Sequence, residues 1–95
     1  MLTSKMKARI RREMTDEEPT IWIGKNGVTD QSLKELLKQL DKNEIIKVKI
    51  LKSALKDEDA KNIIQKIVQK TGSTLIDQRG HVLILYKPRE RKKPL

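Results

Sequence analysis

Residues 21–30, Ile-Trp-Ile-Gly-Lys-Asn-Gly-Val-Thr-Asp, carry the chain through a short strand, a four-residue turn and a helix start within ten positions. Gly24 and Gly27 bracket the turn, and glycine is the residue that lets a backbone take positive φ and lie close to a ligand. Between them stand Lys25, a mobile cation, and Asn26, which tolerates left-handed backbone. Thr29 follows at the position of an N-cap. A glycine turn opening onto a helix N-terminus presents unpaired N–H groups and a partial positive charge, so it suits an anion, and the candidate is phosphate. The same glycines could equally do no more than shape a tight turn. The nucleotide signatures GxGxxG and GxxxxGK[ST] are both missing, which argues against a Rossmann or P-loop enzyme.

The hydrophobic periods on either side define the remaining elements. Residues 3–14 read as a helix capped by Thr3 or Ser4, with a narrow apolar stripe of Met6, Ile10 and Met14 and with Lys5, Lys7, Arg9, Arg11 and Arg12 over the rest of its surface. Asp16, Glu17 and Glu18 form an acidic link that Pro19 closes. After the strand at 20–23 and the turn, Leu33, Leu36, Leu37 and Leu40 give a helix over about 30–42 one buried face. Lys34 and Lys38 lie away from those leucines, and Lys34 stands one turn beyond Asp30, close to the anion site.

Residues 44–51 alternate. Ile46, Val48 and Ile50 face one way, with Ile45, Lys47 and Lys49 on a second, half-open face, where the lysines either snorkel or meet a ligand. A third helix is expected to start at Asp57, with Asp57, Glu58 and Asp59 in its first turn, a buried stripe of Ala60, Ile63, Ile64, Ile67 and Val68, and Gly72 as its stop. Residues 73–78 and 81–86 form a hairpin about Arg79-Gly80, and the run from Val82 to Leu85, apolar on both faces, belongs in the sheet interior. The expected fold is α/β in the order α-β-α-β-α-β-β. It has a mixed four-stranded sheet, the second and third helices on one face, and the first helix's seat left open. One domain over residues 1–88 is expected, followed by a flexible basic tail at 89–95.

Charge placement narrows the function. Residues 1–12 and 87–95 carry the whole net charge of +9, since the 74 residues between hold twelve basic and twelve acidic side chains. Lys87, Arg89, Arg91, Lys92 and Lys93 supply the C-terminal share. Solvated basic ends would account for this, but a polyanion partner gains most from such concentration, because neutralised phosphates release counterions. With no cysteine and one histidine, His81, neither a thiolate metal site nor a catalytic triad can be assembled. The acidic clusters at 16–18 and 57–59 are explained as a solvated linker and a helix start. No enzyme, cofactor, metal or small-molecule substrate is therefore expected. No apolar run approaches a membrane span, and the chain reads as cytoplasmic. Trp22 points away from Ile21 and Ile23; core filling is its expected role, with stacking on nucleic-acid bases the alternative.

Three blocks together resemble a known family. Residues 23–29 (Ile-Gly-Lys-Asn-Gly-Val-Thr), 43–49 (Asn-Glu-Ile-Ile-Lys-Val-Lys) and 82–88 (Val-Leu-Ile-Leu-Tyr-Lys-Pro) are similar to the signature blocks of the CRM domain, named for chloroplast RNA splicing and ribosome maturation, in its stand-alone YhbY-like form. The resemblance implies a fold similar to the C-terminal domain of translation initiation factor 3. It also implies RNA binding through a GxxG loop analogous to that of KH domains, and association with precursors of the large ribosomal subunit. Carried onto this chain, the loop is Gly24, Lys25, Asn26 and Gly27, with basic support from Lys47 and Lys49. The reading is a non-catalytic, monomeric RNA-binding protein. Its alternatives are a DNA-coating, chromatin-like basic protein and a protein-interaction module of a ribonucleoprotein particle.

Overall fold

Alternating and helical apolar periods become seven regular elements and one short turn of 3-10 helix in the computed structural model, which describes residues 2–88. They are α1 (Ser4–Met14), β1 (Ile21–Ile23), α2 (Asp30–Asn43), β2 (Ile45–Ile50), the 3-10 turn (Lys52–Leu55), α3 (Ala60–Thr71), β3 (Thr74–Arg79) and β4 (Val82–Tyr86). The tail expected at 89–95 lies outside the described residues. The four strands form one mixed sheet in the order β1-β2-β4-β3. β1 runs parallel to β2, with Ile21 opposite Val48 and Ile23 opposite Ile50, and β4 runs antiparallel to both its neighbours. The last strand is thus interior, as its two-faced apolar run requires.

Each face of the sheet has its own core. On one side Ile21, Ile23, Ile46, Val48, Ile50, Leu83 and Leu85 pack against Leu36 and Leu40 of α2 and Ile63, Ile64 and Ile67 of α3. A fully buried aliphatic side chain contributes about 1.5–3 kcal/mol, so this layer dominates the stability of a chain without phenylalanine. Leu37 is 38% exposed, because it sits at the margin of the α2 stripe rather than in it.

The opposite face answers the question the sequence leaves open. There α1 lays Ile10 against Ile76 and Ile84, with Leu2, Met14, Ile45 and Tyr86 around them. Met6, expected in the same stripe, is 43% exposed, so the helix is docked by one edge and its cations stay outside. A Thr3 hydroxyl that accepts from the Met6 N–H at 3.1 Å starts this helix.

α3 begins later than expected. Asp59, not Asp57, is its N-cap, its carboxylate accepting from the Asn62 N–H at 2.8 Å, and no acidic residue lies in the first turn. Asp57 and Glu58 instead belong to the link that follows the 3-10 turn. The helix stops where expected, at left-handed Gly72, whose N–H reaches the Val68 carbonyl at 2.9 Å.

Candidate functional site

The short edge strand β1 is fixed at both ends. The Thr20 N–H donates to the Lys47 carbonyl at 3.0 Å, and the Leu51 N–H to the Ile23 carbonyl at 2.8 Å. The 24–27 turn therefore leaves the sheet from a clamped root. It closes through a Gly27 N–H to Gly24 carbonyl bond of 2.8 Å, with Gly27 at φ +66°.

Two details differ from the expected glycine roles. Asn26 keeps negative φ, because Gly27 makes the left-handed reversal in its place. Gly24 also keeps negative φ, and a Cβ there would lie 3.6 Å from Leu51 Cδ1 and 3.8 Å from Ser53 Oγ, in ordinary contact. The backbone thus needs glycine at 27 and tolerates a side chain at 24. With the Gly27 amide engaged, the N–H groups of Lys25 and Asn26 donate to no described residue, and both residues are exposed.

Thr29 caps α2 as the sequence indicates, its hydroxyl accepting from the Ser32 N–H at 3.1 Å. The loop and the first two turns of α2 enclose a surface cleft of about 530 Å³, lined also by Thr20 and Trp22 of the β1 edge. Lys25 is its one lining cation and Glu35 its one lining carboxylate, among the described residues. The Gln39 amide donates to Glu35 Oε1 at 3.0 Å and holds that carboxylate in place. Glu58 stands behind the loop, with Oε1 3.8 Å from where a Gly27 Cβ would be, and is ion-paired with Lys66.

The expected core-filling role of Trp22 is overturned: its indole is 55% exposed. Ile21 and Ile23 fill the covered face, and on the other face α1 is seated toward β3. Sequence alternation shows which way Trp22 points but not whether anything covers that face.

The remaining expected cations do not converge on the cleft. Lys34 and Lys38 are exposed on α2 but do not line it. Lys49 is exposed on the α1 side of the sheet, where its register partner in β1 is Trp22. Lys47, on that same face, is committed within the fold: Nζ donates to the carbonyls of Met14 at 2.8 Å, Thr15 at 3.4 Å and Glu17 at 2.8 Å. A lysine has three N–H donors, so its ammonium has none left for a phosphate.

Arg9 pairs with Glu13 at 3.2 Å beside the exposed Arg12. Arg11 lines a second groove, of about 210 Å³, with Lys47 and Arg79 over a floor of Val82 and Ile84. Lys87 lies beside Gly72 at the far end of α3, and Arg89, Arg91, Lys92 and Lys93 fall outside the described residues. Among the described residues no cluster of His, Cys, Asp and Glu could hold a metal ion, and no helix is long and apolar enough to cross a membrane.

Comparison with known proteins gives one consistent result. The family model for the CRS1 / YhbY (CRM) domain matches residues 2–87. "Probable RNA-binding protein MJ0652" of Methanocaldococcus jannaschii is 38% identical over 89 residues, which are 94% of this chain and 66% of that one. "Probable RNA-binding protein YqeI" of Bacillus subtilis is 30% identical over 95 residues, covering 100% of this chain and 97% of its own. The solution structure of the hypothetical protein SAV1595 from Staphylococcus aureus, described as "a putative RNA binding protein", superposes with a TM-score of 0.73 at 30% identity, covering 98% of this chain and 93% of that one.

Proposed function

The chain belongs to the CRS1 / YhbY (CRM) domain family, and from that premise we propose that it is an RNA-binding protein with no catalytic role. Its relatives from Methanocaldococcus, Bacillus and Haemophilus carry names that say RNA-binding. The observation that carries the reading is the open cleft at the start of α2, where the Lys25 and Asn26 amides stand unpaired in the turn that leads to the helix N-terminus. A sugar-phosphate backbone laid along the 24–27 turn accepts from those amides, while Lys25 adds the charge and Thr29 keeps the helix start intact. Lys34, Lys38 and Lys49 and the arginines of α1 act at longer range, through a salt-sensitive attraction that does not depend on sequence.

The RNA we propose is precursor RNA of the large ribosomal subunit, with a role in ribosome assembly. Family resemblance supports this target. Filter binding tests the loop: Lys25→Asp combined with Asn26→Asp replaces one cation and adds two carboxylates at exposed turn positions. RNA affinity is expected to fall at least about tenfold with the circular-dichroism spectrum unchanged. Unchanged affinity removes the loop from the interface. Crosslinking in cells followed by sequencing of the attached RNA tests the ribosomal target.

A further inference from the structure

We propose that the exposed indole of Trp22 is a stacking platform for an unpaired base of the RNA strand held at the 24–27 loop, an inference that rests on the RNA-binding reading above. Trp22 is the one tryptophan of the chain and one of only two aromatic residues. The fold leaves it 55% exposed on an edge strand, although the covered face of that strand is filled by Ile21 at 6% and Ile23 at 0% exposure. About half of the Trp22 surface is thus left in water, and the residue lines the same cleft as Lys25 and the unpaired amides.

Its surroundings suit a nucleotide strand better than an apolar protein surface. On the outer face the register runs from Trp22 to Lys49, then to Val82, then to Arg79. Both Lys49 and Arg79 are exposed, so a cation stands on the strand next to the indole and another at the far edge of the sheet. Three strand spacings of about 4.8 Å make this row roughly 14 Å long. A single strand leaving the loop thus meets a flat π-face, which accepts any base, followed by cations for its phosphates. A hydrophobic protein partner would instead leave Lys49 buried without a counter-charge among the described residues, whereas Arg79 has Asp77 at 3.6 Å.

The tryptophan reports on its own contact. The full chain is titrated with a hairpin RNA carrying an adenine-rich unpaired loop, and with a fully paired duplex of the same stem. Binding is read by filter retention of the radiolabelled RNAs, and stacking by Trp22 emission with the unlabelled RNAs. The unpaired loop should quench the emission with the same midpoint that filter binding gives, and the duplex should bind with less quenching.

Trp22→Ala should weaken binding of the looped RNA by about 5- to 150-fold, equivalent to roughly 1–3 kcal/mol per stacked base. It should leave duplex binding within about twofold, and Trp22→Phe should recover most of the loss. Retention of the looped RNA with unchanged emission and no effect of Trp22→Ala overturns the stacking role while RNA binding stands. Absence of retention for both RNAs overturns the RNA-binding reading, and the stacking role with it.

Discussion

The ammonium of Lys47, in the middle of β2, donates to the carbonyl of Met14, the last residue of α1, at 2.8 Å. A cation at the C-terminal end of a helix meets the negative end of its dipole and satisfies carbonyls that have no partner within the helix. Because α1 has one well-buried anchor, Ile10 at 7% exposure, this polar tie fixes its other end. Lys47→Met keeps the stem and removes the donors. It should lower the unfolding free energy by about 1.5–3 kcal/mol, read as a shift of the urea midpoint by far-UV circular dichroism. RNA affinity of the folded variant should change little, since the Nζ donors of the native lysine are all engaged within the fold.

The two loop glycines should respond differently to alanine. Gly27 sits at φ +66°, and an L-residue in left-handed backbone costs about 1–2 kcal/mol. Gly27→Ala should lose stability by that amount. Gly24→Ala places a methyl 3.6 Å from Leu51 Cδ1 without unfavourable φ, and its stability should stay within about 0.5 kcal/mol of the native chain. Thermal denaturation of the pair checks both, and equal losses would show that the turn needs positive φ at both ends.

Removal of residues 1–12 is a poor way to test the basic N-terminus, because it also removes Ile10 from the core formed with Ile76 and Ile84. That truncation should cost at least about 2 kcal/mol through uncovered apolar surface alone. Charge reversal of Arg9 and Arg12 leaves the buried edge of α1 in place, since both side chains are exposed. If they bind phosphates, Arg9→Glu with Arg12→Glu should reduce the slope of log affinity against log salt by about 0.7–0.9 for each phosphate no longer neutralised. An unchanged slope would assign them to solvent.

What the sequence makes legible here is whatever depends on period. Ile46, Val48 and Ile50 against Lys47 and Lys49 set the two faces of β2, and Gly72 marks the end of α3, because both follow from backbone geometry local to those residues. The loop could be found for the same reason, as Gly24 to Thr29 is contiguous. Features that depend on what arrives from elsewhere are not legible. Three consecutive acids offer three possible caps for α3, and tertiary placement selects Asp59. The stripe of α1 shows that it docks but not on which surface. For the same reason Lys47 and Trp22 exchange roles: the end of α1 reaches the lysine, and the indole is left 55% exposed.

Glu35 is the feature of the cleft that opposes the proposed ligand. It is the one carboxylate lining a space in which Lys25 is the one cation, and the Gln39 amide holds it there at 3.0 Å. Two unit charges separated by roughly 5–8 Å in a water-like medium interact by about 0.5–0.8 kcal/mol. A phosphate in the cleft should therefore bind about two- to fourfold more tightly after Glu35→Gln, which removes the charge and keeps an oxygen able to accept from Gln39. The gain should be largest below about 0.1 M salt and fade as the Debye length shortens toward about 3 Å at 1 M. Filter binding across a salt series separates this from a change in fold, because loss of structure would not vanish at high salt. Equal affinities at every salt concentration would place the phosphate away from Glu35, outside the cleft and on the Lys49 side of the sheet.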